Sequence, residues 1–309
     1  MVLSLKMLQC NIAAVGGWKM ESVPQFTFDN DLSWTLMSTS TPHTRMPVLF
    51  VGHGSPMNVI QDSPYRRAWQ ALGTQFGVRW PKPKLILCIS AHWITQGWWM
   101  TGMSHPKTIH DFGGFPQELF EQQYPVAGAP EWVAQTAQQL RQPHTGQPVG
   151  VDFTEWGLDH GAWGVLKPVF PAADIAVVQL SVDYHRPPSE HFALGQQLSA
   201  LREQGVLIVA SGNTVHNLRT MNRSAPDNQA YEWAIEFDQW VAAQITSGHL
   251  DALVDFQAQG DTAKMSHPSY DHFLPLLYAA GAAEAGESVE FFNAGYQFAS
   301  IAMRSVIWG

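Results

Sequence analysis

Five short apolar runs separated by helix-length segments constrain this chain more than any other feature. They cover residues 48–51, 85–89, 175–182, 206–210 and 289–292. Runs of this length, bounded by Gly, Pro or Asp, read as strands buried between helical layers. The intervening segments 65–76, 130–141, 188–203 and 229–246 read as helices. In the last of these, Trp233, Phe237 and Trp240 follow at three- and four-residue spacing, which makes a core-facing stripe. Strand and helix in alternation predict an α/β fold, a three-layer sandwich with a central mixed, largely parallel sheet flanked by helices.

Composition narrows the function classes. Apolar residues make up 45% of the chain, enough for a sizeable core. With 17 Lys and Arg against 26 Asp and Glu, the net charge of −9 argues against nucleic acid or an anionic membrane as partner. No apolar run approaches the roughly 18 residues that a membrane span requires. Two cysteines, Cys10 and Cys88, form neither a disulfide framework nor a zinc ribbon, and a cytoplasmic protein is expected. Residues 1–45 differ from the rest. The apolar stretch from Leu8 to Val15 is broken by polar residues, as a signal peptide's would not be, and the segment 37–46 is polar. Residues 1–45 are therefore expected to form a loosely attached extension, with the natural start at Met37. Residues 46–309, without repeat or Gly/Ser linker, are expected to form a single catalytic domain.

The chemistry points to histidine. Three of the apolar runs lead into one: His53 follows the first, His92 the second and, a few residues further out, His216 the fourth. Sites of open α/β sheets lie beyond the carboxyl ends of the strands, so three parallel neighbours would bring these imidazoles together. Converging neutral imidazoles indicate a metal. His267 and His272 sit at the entry to an apolar helix, and spacing does not choose between them. His160 lies in Leu158-Asp-His-Gly-Ala-Trp163, read as a Gly-rich loop between aromatics, where it could be a ligand, an acid/base group or a substrate contact. His43, His105, His110, His144, His185, His191 and His249 show no pattern and are taken as solvated or structural. Trp93, Trp98, Trp99, Trp156 and Trp163 flank the site in sequence, as core residues or as an aromatic wall. The order Gly52-His-Gly-Ser-Pro56 is not a serine-hydrolase elbow, and no phosphate loop follows any strand.

Six motifs in fixed order carry a resemblance. They are Gly52-His-Gly-Ser-Pro, Ser90-Ala-His-Trp, His110-Asp-Phe-Gly-Gly-Phe-Pro, Leu158-Asp-His-Gly-Ala-Trp, Ala210-Ser-Gly-Asn-Thr-Val-His-Asn-Leu and Asp271-His-Phe-Leu-Pro-Leu. From about Met37 to the end, the chain resembles the 4,5-DOPA extradiol dioxygenases of the class III (protocatechuate 4,5-dioxygenase type) superfamily. The resemblance implies one divalent metal on His53, His92 and His272. His216 would be either a fourth ligand or the acid/base group, with His160 facing the substrate. His267 matches no family ligand position, and His110 is given no role. The implied reaction opens a catechol such as L-DOPA with O2 as co-substrate, giving 4,5-seco-DOPA. Fe(II) would serve activity, and Zn(II) could occupy the site in purified protein, because imidazoles accommodate both. Two rivals stand beside this reading. A zinc hydrolase would need a free carboxylate base, and a non-catalytic metal-binding protein would need a closed tetrahedral site.

Overall fold

A computed structural model describes residues 45–309. The expected extension over residues 1–45 and the start at Met37 lie outside the described residues, apart from Arg45. Ten strands are present among the described residues: β1 (Val48–Gly52), β2 (Leu85–Ile94), β3 (Trp99–Thr101), β4 (Gly150–Asp152), β5 (Ala176–Val182), β6 (Val206–Gly212), β7 (Val289–Phe292), β8 (Tyr296–Gln297), β9 (Ile301–Ala302) and β10 (Ser305–Trp308). Eight of them form one sheet in the order β4-β3-β5-β2-β6-β1-β10-β7. The four central strands β5, β2, β6 and β1 run parallel, whereas β3 pairs antiparallel with β5, and β10 antiparallel with β1 and β7. The sheet is thus mixed and largely parallel, as expected. All five apolar runs form strands of it.

Among the described residues, eight α-helices cover its two faces: α1 (Pro64–Gln75), α2 (Gln117–Phe120), α3 (Pro130–Thr136), α4 (His160–Val169), α5 (Pro188–Leu198), α6 (Glu232–Ser247), α7 (Asp261–Ser266) and α8 (Leu274–Ala282). Alternation along the strands divides the core. Leu49, Val51, Ile86, Cys88, Val177 and Val209 face α1, α2 and α4, while Val48, Phe50, Leu87, Val178 and Ile208 face the other five helices. Cys88 is fully buried mid-strand. The stripe on α6 is a core face, with Phe237 buried and Trp233 and Trp240 packed against it.

Four local readings need correction. The run at 85–89 continues through a register shift to Ile94, so His92 lies within β2 and not beyond it. The helix expected over 130–141 ends at Thr136, and that over 188–203 becomes a 3-10 helix at Ser199. The segment read as a Gly-rich loop opens α4: Asp159 caps it by accepting from the Ala162 N–H, and His160 is the first helical residue.

Sheet register aligns the exits toward the site. Gly52 pairs with Gly212 across β1 and β6, and Ser90 with Ser211 across β2 and β6. The segments carrying His53 and His216 therefore leave the carboxyl-terminal edge close to the last residues of β2, where His92 lies.

Candidate metal centre

Backbone hydrogen bonds assemble the site from four separate stretches. The His53 N–H donates to the Gly212 carbonyl (3.0 Å), and the Asn213 N–H to the His272 carbonyl (2.9 Å). The His216 N–H donates to the Ser266 carbonyl (2.9 Å), and the Ala302 N–H to the Val215 carbonyl (3.0 Å). Gly212 is required here, because a Cβ at that position would lie 2.2 Å from the His272 carbonyl oxygen. Gly161 plays the same part under α4, where a Cβ would meet Ser90 Oγ at 2.4 Å and His92 Cδ2 at 2.9 Å.

His53, His92 and His272 each offer a ring nitrogen, and the three nitrogens all lie within 4.8 Å of one another. Their ring centroids are 4.9–5.2 Å apart. The Nε2 atoms of His53 and His92 are 3.3 Å apart. Two nitrogens each ~2.0 Å from a tetrahedral ion would be separated by about 3.3 Å, so the spacing fits a shared first-row metal. The opposite nitrogens are held from behind. His53 Nδ1 lies 3.0 Å from Ser211 Oγ, and His272 Nδ1 is 2.5 Å from Asp271 Oδ2. A carboxylate behind a ligand imidazole fixes its tautomer and raises its basicity.

Electrostatics favour neutral, ligating rings. Burial, reinforced by the neighbouring imidazoles, pushes His53 and His92 well below the ordinary histidine range. His216 is pushed down in the same way, by burial and then by His272 and His267. Burial works against the Asp271 carboxylate, but its hydrogen bonding, led by that with His272, outweighs this and holds Asp271 well below the carboxylate range.

The other sequence-predicted residues divide clearly. His160 is brought in, its ring centroid 4.0 Å from that of His92 and 5.8 Å from that of His53. His216 stacks on His272, with centroids 3.5 Å apart and planes at 5°. It lies outside the three-nitrogen cluster but lines the same cleft. His267 is elsewhere: buried, with Nε2 2.8 Å from the Thr214 carbonyl, and lowered by that burial to about 4. His191 is likewise structural, bonded to Tyr278 and the Arg186 carbonyl.

Sequence reasoning assigned nothing to Asp111. Its Oδ1 accepts from the His160 N–H, and its Oδ2 lies 2.9 Å from His160 Nδ1 and 3.5 Å from His92 Nδ1. Burial would raise the Asp111 pKa, yet the His160 hydrogen bonds pull it below the usual value. The available signal was its place in the His110-Asp-Phe-Gly-Gly-Phe-Pro motif.

The cluster forms the floor of a cleft of about 350 Å³. The aromatic lining is Phe112, Phe115 and Phe298, and none of the five flanking tryptophans contributes. Open space above three imidazoles leaves coordination positions for guests, unlike a closed structural site. Asp111 and Asp271 are both engaged with imidazoles, so neither is the free general base that a zinc hydrolase would need.

The comparisons with known proteins agree with this geometry. Residues 47–306 match the family described as the catalytic LigB subunit of aromatic ring-opening dioxygenase. The chain is 46% identical over 267 residues to 4,5-DOPA dioxygenase extradiol of Escherichia coli K12, covering 85% of this chain and 94% of that protein. It is 36% identical over 246 residues to the protein of the same name from Beta vulgaris, covering 79% and 89%. A crystal structure of an uncharacterized protein from Escherichia coli K12 matches with a TM-score of 0.72 at 40% identity, covering 86% of this chain and all of that one. Among the described residues, no helix is long and apolar enough to cross a membrane.

Proposed function

Because this chain belongs to the LigB family of aromatic ring-opening dioxygenases and is an extradiol ring-cleavage enzyme, we propose that it opens the ring of L-DOPA to 4,5-seco-DOPA. The observation that carries this reading is the trio His53, His92 and His272 at the floor of an open cleft. These three would hold one divalent metal, Fe(II) in the active enzyme, within a catalytic domain of residues 46–309. The cytoplasm is the expected compartment. The metal would supply a Lewis-acidic, redox-active centre where both catechol oxygens and O2 can meet.

The protein's part is to position groups and move protons. His216, neutral and next to His272, accepts the first catechol proton and later returns it to the oxygen that needs it. Its place in the stack, outside the cluster, favours this acid/base role over that of a fourth ligand. Asp111 holds the Nδ1 edge of His160, so the Nε2 edge of that ring is free to orient the substrate. Phe112, Phe115 and Phe298 supply apolar walls that suit a planar ring and thin out water above the floor.

Anaerobic loading with Fe(II), followed by L-DOPA and air, tests the reading. Oxygen uptake together with a new yellow absorbance is expected. Fe(II)-loaded protein that consumes no oxygen with L-DOPA or any simple catechol would refute it. Zinc found in purified protein would not, since zinc binds such ligands more tightly than Fe(II).

A further inference from the structure

Among the residues lining the cleft, Arg223 is the one lysine or arginine. Six other arginines, Arg45, Arg67, Arg79, Arg186, Arg202 and Arg304, each pair with a carboxylate. Arg223 makes no ion pair among the described residues. It occupies a turn in which the Ala225 N–H donates to the Asn222 carbonyl (3.1 Å) and the Ser224 N–H to Asn222 Oδ1 (3.0 Å). The Asn222 N–H donates to the Phe298 carbonyl (3.0 Å), which ties the turn to the cleft wall. Leu218, Met221 and Phe298 line the same cleft and offer no anion. His53, His160 and His272 are buried, His92 and His216 half-buried and Arg223 exposed, so the cation stands at the mouth and the imidazoles toward the floor.

A guanidinium without an ion-pair partner among the described residues, carried by a pinned turn beside an apolar wall, is suited to a planar carboxylate. We propose that Arg223 is a specificity-determining residue, selecting catechols whose side chain ends in a carboxylate and holding that carboxylate at the mouth while the diol reaches the floor. The inference rests on the catechol reading of the floor. It adds a second point of attachment, and with it an orientation for the ring.

Binding tests it without turnover. The Zn(II)-loaded protein, inert toward oxygen chemistry, is titrated with 3,4-dihydroxyphenylacetate and with 4-methylcatechol, which lacks only the carboxylate, following tryptophan fluorescence at low salt. Wild type is expected to prefer the acid. Because exposed ion pairs are weak, Arg223→Gln should loosen the acid by roughly three- to tenfold and leave 4-methylcatechol within about twofold. Arg223→Lys should retain most of the preference, and 0.5 M salt should erase much of the wild-type advantage. Unchanged affinity for 4-methylcatechol also certifies that the variant is folded. Equal weakening of both ligands, or no change in either, overturns the assignment. A wild type that binds 4-methylcatechol without preferring the acid sinks the Arg223 proposal alone. A wild type that binds neither ligand sinks the catechol reading and Arg223 with it.

Discussion

Two side chains beside the three-nitrogen cluster are expected to fail differently when changed. On the proposed reading His216→Ala removes the proton carrier and leaves His53, His92 and His272 in place, so catechol binding is expected to persist while kcat falls by about 10²–10⁴. Asp111→Asn keeps the shape but removes the charge that holds His160 and faces His92. Metal affinity is then expected to weaken by about 10–100-fold. Metal titration beside steady-state kinetics separates the two: His216→Ala loses turnover with metal bound, and Asp111→Asn loses metal. Wild-type kcat in His216→Ala would remove that ring from proton transfer. The contrast also shows what was legible at single positions. Histidines announced themselves by following apolar runs, whereas Asp111 sits in a loop with no periodic signal, and only its packing against α4 gives it a role.

At the scale of elements, the strand ends and the segments that cross them build the site. The carboxyl end of β6 meets the chain entering α8 through the Gly212–His272 backbone contact, which admits no side chain. Gly212→Ala is expected to cost about 1–3 kcal/mol by overpacking, and to displace His272 from the cluster. Urea unfolding and metal stoichiometry would measure both effects. A variant with full stability and full metal binding would show that this contact does not set the site. The hairpin of β8 and β9 contributes similarly. Phe298 and Ala299 in its loop adopt positive φ (53° and 61°), a conformation uncommon outside glycine, and Phe298 lines the cleft. Neither the hairpin nor the α4 start was read from sequence. Two-residue strands carry no alternation to count, and the glycines of His160-Gly-Ala-Trp-Gly164 look like a loop until their close packing is seen.

For the molecule as a whole, buried neutral histidines tie stability to pH. Burial is the main reason that His191 falls from the ordinary range to about 4, with its hydrogen bond to the Arg186 carbonyl opposing the shift. Between about pH 6.5 and pH 4 the unfolded chain takes up a proton at this position that the folded chain does not. Stability therefore falls as pH drops through that window and is fully retained above it. The span corresponds to about 3 kcal/mol from this one group. Urea unfolding from pH 7 to pH 4 should show the loss, and His191→Gln should flatten part of the slope. An unchanged slope in that variant would mean that His191 is not the group responsible.

Some properties of this protein were set by the order of residues alone, and others waited on the fold. The α/β class, five of the eight strands of the sheet and the recruitment of His53 and His92 to one edge follow from local pattern, since runs of buried apolar residues and the groups just past them need no distant partner to be recognised. The family likeness was carried by six short motifs in order. Distant contacts decided the rest: that His272 joins the cluster while His267 turns to Thr214, that His216 stacks behind the cluster, and that Asp111 and Arg223 face the cleft. Each depends on which backbone carbonyl a remote N–H finds, and no spacing along the chain encodes that choice.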